Sequence, residues 1–203
     1  MAASEPLLPA KAKWLDQNNE HRLASSFNFW ISNDLASYNE DVQCLSAFST
    51  VEGFWRYYSY LKLRQAAAVG CFQTGYQPKW ETFPATGARL GLRVRQGSVA
   101  RRLWELSLLA IVGDPYRLRD DVAGVLMTRK PGLQIHISFW IKDGNDKYKV
   151  ARVREVIKHV LGIKDDRVLT FQFTHTSARN ASASQTQSGD ESNENPKKEN
   201  EGE

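Results

Sequence analysis

The chain has 203 residues, 41% of them hydrophobic, with six tryptophans, nine phenylalanines and seven tyrosines, enough apolar material for one domain with a sizeable core and too little length for two. Cys44 and Cys71 are its two thiols; with no C-x-x-C pair and no metal-ligand spacing they argue against a disulfide framework or a zinc site, and for a reducing compartment, cytosol or nucleus. The formal net charge is +4, and because Arg179 to Glu203 holds six acids against three bases, the remainder carries +7, a balance suited to a polyanion such as nucleic acid or a phosphorylated ligand.

Met1 to about Asn19 mixes Ala, Pro and Lys without periodicity and lacks the basic-then-apolar start of a leader, and no apolar run approaches the ~20 residues of a membrane span. We expect residues 1–19 as a flexible arm, 20–176 as the working domain and 177–203, a Ser/Asn/Glu/Gln tract, as a disordered polar and acidic tail that cannot bury enough apolar surface to order itself. Phe27, Phe29 and Ile31 alternate with polar neighbours as a strand does, and Val42 to Phe48 is a second candidate. Thr50 can cap a helix from Val51 in which Phe54, Tyr58 and Leu61 form the buried stripe while Val51 and Trp55 fall on an adjacent face. Gly70 to Gln73 reads as a short strand. Arg89 to Arg95 is a clearer one, with Leu90, Leu92 and Val94 on an oily back and Arg89, Arg93 and Arg95 on a basic front.

Ser98 is placed to cap an apolar helix, Val99 to Val112, which Gly113 and Pro115 end. Val122 to Thr128 and Leu133 to Ile141 read as a hairpin across Arg129-Lys130-Pro131-Gly132. In the second arm Ile135, Ile137, Phe139 and Ile141 share one face, and Gln134, His136, Ser138 and Trp140 the other. Lys147 to Leu161, stopped by Gly162, is a third helix, and Val168 to Thr174 a last strand. The expected fold is therefore α+β: a curved, mainly antiparallel sheet of about seven strands, with three helices on its convex face and the other face open for binding.

Trp80-Glu81, in the turn Tyr76-Gln77-Pro78-Lys79-Trp80-Glu81, carries the most chemistry. A flat aromatic beside a fixed carboxylate can stack on a purine while the acid accepts two N–H donors from its edge. Tyr38 upstream and Arg129 and Lys130 downstream supply a second ring and phosphate-neutralising charge. Trp30, Trp104 and Trp140 read as packing residues.

The order Phe48-x-Thr50-Val51-Glu52-x-Phe54-Trp55, then Pro78-x-Trp80-Glu81, then Trp104 with Gly113 closing its helix, then Gly124 to Arg129 and Phe139-Trp140, resembles the cap-binding translation initiation factor 4E family over roughly Glu20 to Thr176. The resemblance implies a protein that holds the 7-methylguanosine cap of messenger RNA between two aromatic rings, here Tyr38 and Trp80, with Glu81 on the guanine edge. Arg89 and Arg129 match basic positions near the phosphates, and Lys130 and His136 are both candidates for a second phosphate-binding residue. Tyr38 stands where the family most often has Trp, and the Arg129–Trp140 segment is one residue longer than the usual pattern. Such departures point to a specialised paralogue, a kinetoplastid lineage among the candidates.

The resemblance also implies a partner helix, from a 4G-type scaffold or a 4E-binding protein, docked on Val51, Trp55 and Leu109, with His21 and Leu23 beside it. Glu105 and Arg22 replace residues common at that surface. The expected function is a monomeric cytoplasmic, and also nuclear, factor that binds capped mRNA and recruits a scaffold for translation initiation. A cap-binding repressor and a general single-stranded RNA binder are the alternatives. A cap hydrolase would need a metal-binding carboxylate cluster, and Asp120-Asp121 has no acid-rich helix around it, so no catalytic residue, metal or cofactor is assigned.

Overall fold

The computed structural model describes residues 16, 18–61, 63, 65–164 and 168–172, with Asn39 and 168–172 as backbone only. The expected tail, and the arm apart from its last few residues, lie outside the described residues. Seven strands form one sheet: β1 Arg22–Ser32, β2 Gln43–Thr50, β3 Ala68–Gln73, β4 Ala88–Arg95, β5 Val122–Lys130, β6 Gln134–Ile141 and β7 Val168–Gln172. Their spatial order is β2-β1-β3-β5-β6-β4-β7, and every neighbouring pair is antiparallel. Register shifts in β1/β2 and at Val122/Gly124 of β5/β6 mark the irregularities that bend such a sheet.

Cross-strand partners point to the same face, so the registers sort the side chains into two sets. Phe29, Cys71, Val125, Phe139 and Leu90 face one another across five strands and are each at most 2% exposed. They form one side of the main core. The three long helices cover it: α2 Val51–Tyr58, α3 Ser98–Val112 and α4 Lys147–Leu161 contribute Phe54, then Trp104, Leu108 and Ile111, then Val153 and Ile157. Trp104, fully buried, is a packing residue, in keeping with its sequence reading.

Local chemistry fixes the helix ends. The Thr50 hydroxyl accepts from Gly53 N at 3.0 Å, capping α2, and Asp146 caps α4 by accepting from Tyr148 N and Lys149 N. Gly162 ends α4 in the left-handed conformation that glycine adopts without penalty (φ 64°). Ser98 is not the expected cap. It is the first helical residue of α3, whose cap position is Gly97 without a side-chain hydrogen bond. A one-turn helix, α1 Tyr38–Asp41, occupies what reads in sequence as a polar loop. Among the described residues no helix is long and apolar enough to cross a membrane.

Candidate functional site

The face of the sheet away from the long helices carries four cross-strand rows that change character along the strands. The first is Phe72, Gly124, Trp140 and Arg89; the second Trp30, Gly70, Leu126, Ser138 and Gly91. Next come Ala68, Thr128, His136 and Arg93, and last Lys130, Gln134 and Arg95. One end is thus aromatic and the other basic.

At the aromatic end, Trp140 is 3% exposed and receives Phe72 and Phe83 edge-on, at centroid distances of 5.4 and 5.1 Å. Phe83 anchors the loop between β3 and β4 to this floor, and Gly87 is required beneath it, because a Cβ there would lie 2.5 Å from the Phe83 ring. Ahead of Phe83 a 3-10 turn, Trp80–Thr82, is closed by the Thr82 amide and hydroxyl, both donating to the Lys79 carbonyl. The turn lifts Trp80, 40% exposed, and the exposed Glu81 onto the rim.

Tyr38 meets this rim from α1. Its ring packs on the aromatic floor cluster, and its hydroxyl donates to the Pro78 carbonyl at 2.9 Å. Burial, and then the nearby Glu81 carboxylate, push the phenol above its ordinary pKa, so it remains a neutral donor. The loop before α1 is stiffened by acids acting as acceptors: Asp41 takes Asn33 N and Asp34 N, and Asp34 takes Ala36 N. The structure therefore brings Tyr38, Trp80 and Glu81 together, with Tyr38 tied across the chain to the Trp80 loop rather than standing as an open platform.

The basic end holds Arg93, His136 and Lys130 on one face, and Arg89, opposite Trp140 in the aromatic row, is near enough for its charge to act on the imidazole. His136 is 9% exposed, and burial, then the charges of Arg89, Arg93 and Lys130, depress it to about 4. It is neutral at physiological pH. Burial and the neighbouring Arg93 also lower Arg89. Gly91 makes room for the imidazole, since a Cβ there would lie 2.6 Å from Nε2.

Arg129 is not part of this face. The expected hairpin turn began at Arg129, but β5 continues through Lys130 and the turn is Pro131–Leu133, with Gly132 and Leu133 at φ 74° and 59°. Strand alternation then sends Arg129 to the helix side, opposite Ile135, where its guanidinium donates to the Leu63 carbonyl at 2.6 Å. Lys130, opposite Gln134, takes the open-face position instead.

On the helix side, Val51, Trp55 and Leu109 are 38%, 41% and 38% exposed. Trp55 stands edge-on to Tyr58 at 5.7 Å, and Tyr58 donates to Glu105 one turn before Leu109 at 3.2 Å, which links α2 to α3. His21 sits at the start of the same surface: its amide donates to Glu52, its ring nitrogen pairs with the same carboxylate at 2.7 Å, and its carbonyl accepts from Val51 N. Leu23 packs in part against the main core. Phe83 was missed in sequence reasoning, its signal being a phenylalanine two residues after Glu81, and Pro78 was read as part of the turn without its role as acceptor for the Tyr38 hydroxyl.

A family model described as eukaryotic initiation factor 4E matches residues 22–189. The chain is 28% identical to translation initiation factor 4E-4 of Caenorhabditis elegans over 170 residues, covering 76% of this chain and 77% of that one. It is 30% identical to initiation factor NCBP of Oryza sativa subsp. japonica over 153 residues, 72% of this chain and 66% of the relative. Among solved structures, C. elegans eIF4E-3 in complex with the 4E-binding protein Mextli superposes with a TM-score of 0.70 at 22% identity, covering 78% of this chain and 96% of that one. Ascaris suum eIF4E-3 with an m2,2,7G cap gives 0.70 at 20% identity, covering 77% and 93%. With its residues 22–189 matched by that model, the chain belongs to the eukaryotic initiation factor 4E family.

Proposed function

We propose that this protein binds the 7-methylguanosine 5′ cap of mRNA on the open face of its sheet and recruits a translation scaffold through its helix face. The observation that carries this reading is the continuity of one face, from Trp80, Glu81 and Tyr38 above the Phe72–Trp140–Phe83 floor to Arg89, Arg93, His136 and Lys130. N7 methylation makes the base cationic, so an aromatic face attracts it by up to about 2 kcal/mol when desolvated. An ionised Glu81 accepts from N1–H and N2–H as a charge-assisted pair, a pattern adenine does not offer. The phosphates then run toward the basic rows. No bond is made or broken in this scheme, and residues 20–176 form the domain that carries it, acting in the cytoplasm.

Intrinsic tryptophan fluorescence during titration with 7-methyl-GTP, beside unmethylated GTP, tests the reading. Strong quenching by the methylated ligand alone is expected, and Trp55→Ala should leave it unchanged. Equal weak responses to both nucleotides would defeat the cap reading and favour general RNA binding.

The same assay separates the two adjacent cations. Lys130→Ala should weaken 7-methyl-GTP about fivefold, the scale of one exposed charge-assisted contact, with little effect on the 7-methylguanosine nucleoside. Arg129→Ala should leave both within about twofold, since on that scale it removes no phosphate contact. The reverse pattern would return Arg129 to the phosphate site and mean the hairpin register differs in solution.

A further inference from the structure

A cavity of about 1170 Å³ opens on the helix side between α2, the segment after it and the N-terminal half of α3. Trp55 and Trp104 are among its apolar walls, and three charged residues line it: Arg101, Glu105 and Arg129. The carboxylate of Glu105 is already engaged by the Tyr58 hydroxyl. Arg129 uses a terminal nitrogen on the Leu63 carbonyl, while its Nε is buried with no hydrogen-bond partner. Among the described lining residues, two guanidiniums face one carboxylate, so the cavity is electropositive above an oily floor. Trp55 belongs both to this wall and to the exposed stripe with Val51 and Leu109, so anything docked on that stripe lies at the cavity mouth.

We infer that the cavity receives an acidic side chain, Asp or Glu, from the helical segment that docks on Val51, Trp55 and Leu109; this rests on the scaffold-recruiting surface proposed above. The acid's methylenes lie against Trp55, and its carboxylate sits between the guanidiniums of Arg101 and Arg129. A basic residue at that point of the partner would face two cations, and a purely apolar one would leave the two guanidiniums facing a single carboxylate. Charge complementarity thus gives this chain a partner preference that the Val51/Trp55/Leu109 stripe alone does not have.

The test is a display selection of 20-residue peptides against the full chain, followed by fluorescence anisotropy of the recovered peptides on wild type, Trp55→Ala, Arg101→Ala and Arg129→Met. Expected are peptides that need Trp55, carry Asp or Glu at a fixed offset from their apolar anchors, and lose about tenfold in affinity on Arg129→Met and less on Arg101→Ala. Arg129→Glu should then prefer the same peptides with the acid replaced by Lys. Thermal unfolding of each variant, expected close to wild type, separates lost contact from lost fold. Trp55-dependent peptides with no acidic enrichment, or with affinity untouched by Arg129→Met, overturn the inference and leave the docking surface standing. Recovery of no Trp55-dependent peptide overturns the surface and the inference together.

Discussion

Trp80→Ala is expected to lower affinity for 7-methyl-GTP by about 2–3 kcal/mol, roughly 30- to 160-fold, the upper end of losses for a single base–aromatic stack with a cationic component. The ring is 40% exposed on the rim, so its removal opens no hole in the core. The loop that carries it is held by Phe83 on Trp140 and by the Thr82–Lys79 bonds, none of which involves the indole. The unfolding midpoint should therefore stay near wild type while binding collapses, and Trp80→Phe should recover part of the loss because a smaller π face remains. Unchanged affinity in Trp80→Ala, measured by calorimetry so that the lost fluorophore does not matter, would remove Trp80 from the pocket.

The strand periods were legible because burial on one face forces a period of two. Leu90, Leu92 and Val94 lie against the core as their alternation implies, and Ile135, Ile137, Phe139 and Ile141 do likewise. The helix at Val51 was legible from Thr50 and from the Phe54 stripe. What failed was the end of β5, read two residues short. Starting the hairpin turn at Arg129 rather than at Pro131 left the facing of both cations undetermined, and in a strand a single step of register exchanges the faces. Propensity does not decide that step, because Arg and Lys are tolerated in either place; the pairing of Arg129 with Ile135 decides it. The Tyr38–Pro78 bond was equally invisible, being formed by residues 40 apart in sequence with no local pattern between them. Trp140 illustrates a different ambiguity: it packs, as read, but what it packs into is the floor of the candidate site.

The basic end of that site should make the protein sensitive to acid through His136. The imidazole titrates at about 4 in the folded protein and near 6.5 in the unfolded chain. Between these values the unfolded state binds the proton and the folded state does not, so stability is present in full above about pH 6.5 and drains away as pH falls toward 4. By pH 4.5 the loss from this one group should reach about 2–3 kcal/mol. The cause is burial first, then Arg89 and Arg93 on β4 and Lys130 on β5, all cations that oppose a further positive charge. His136→Gln cannot titrate and should show a flatter decline of the urea midpoint between pH 7 and 4.5, even though carboxylates elsewhere contribute equally to both proteins. Parallel declines would mean that His136 is protonated at neutral pH or lies in a more open setting. A polyphosphate bound across Arg89, Arg93 and Lys130 would offset those charges and raise the imidazole pKa. The wild type alone should then take up a proton on binding 7-methyl-GTP near pH 5.5, read by calorimetry in buffers of different ionisation enthalpy, and His136→Gln should not.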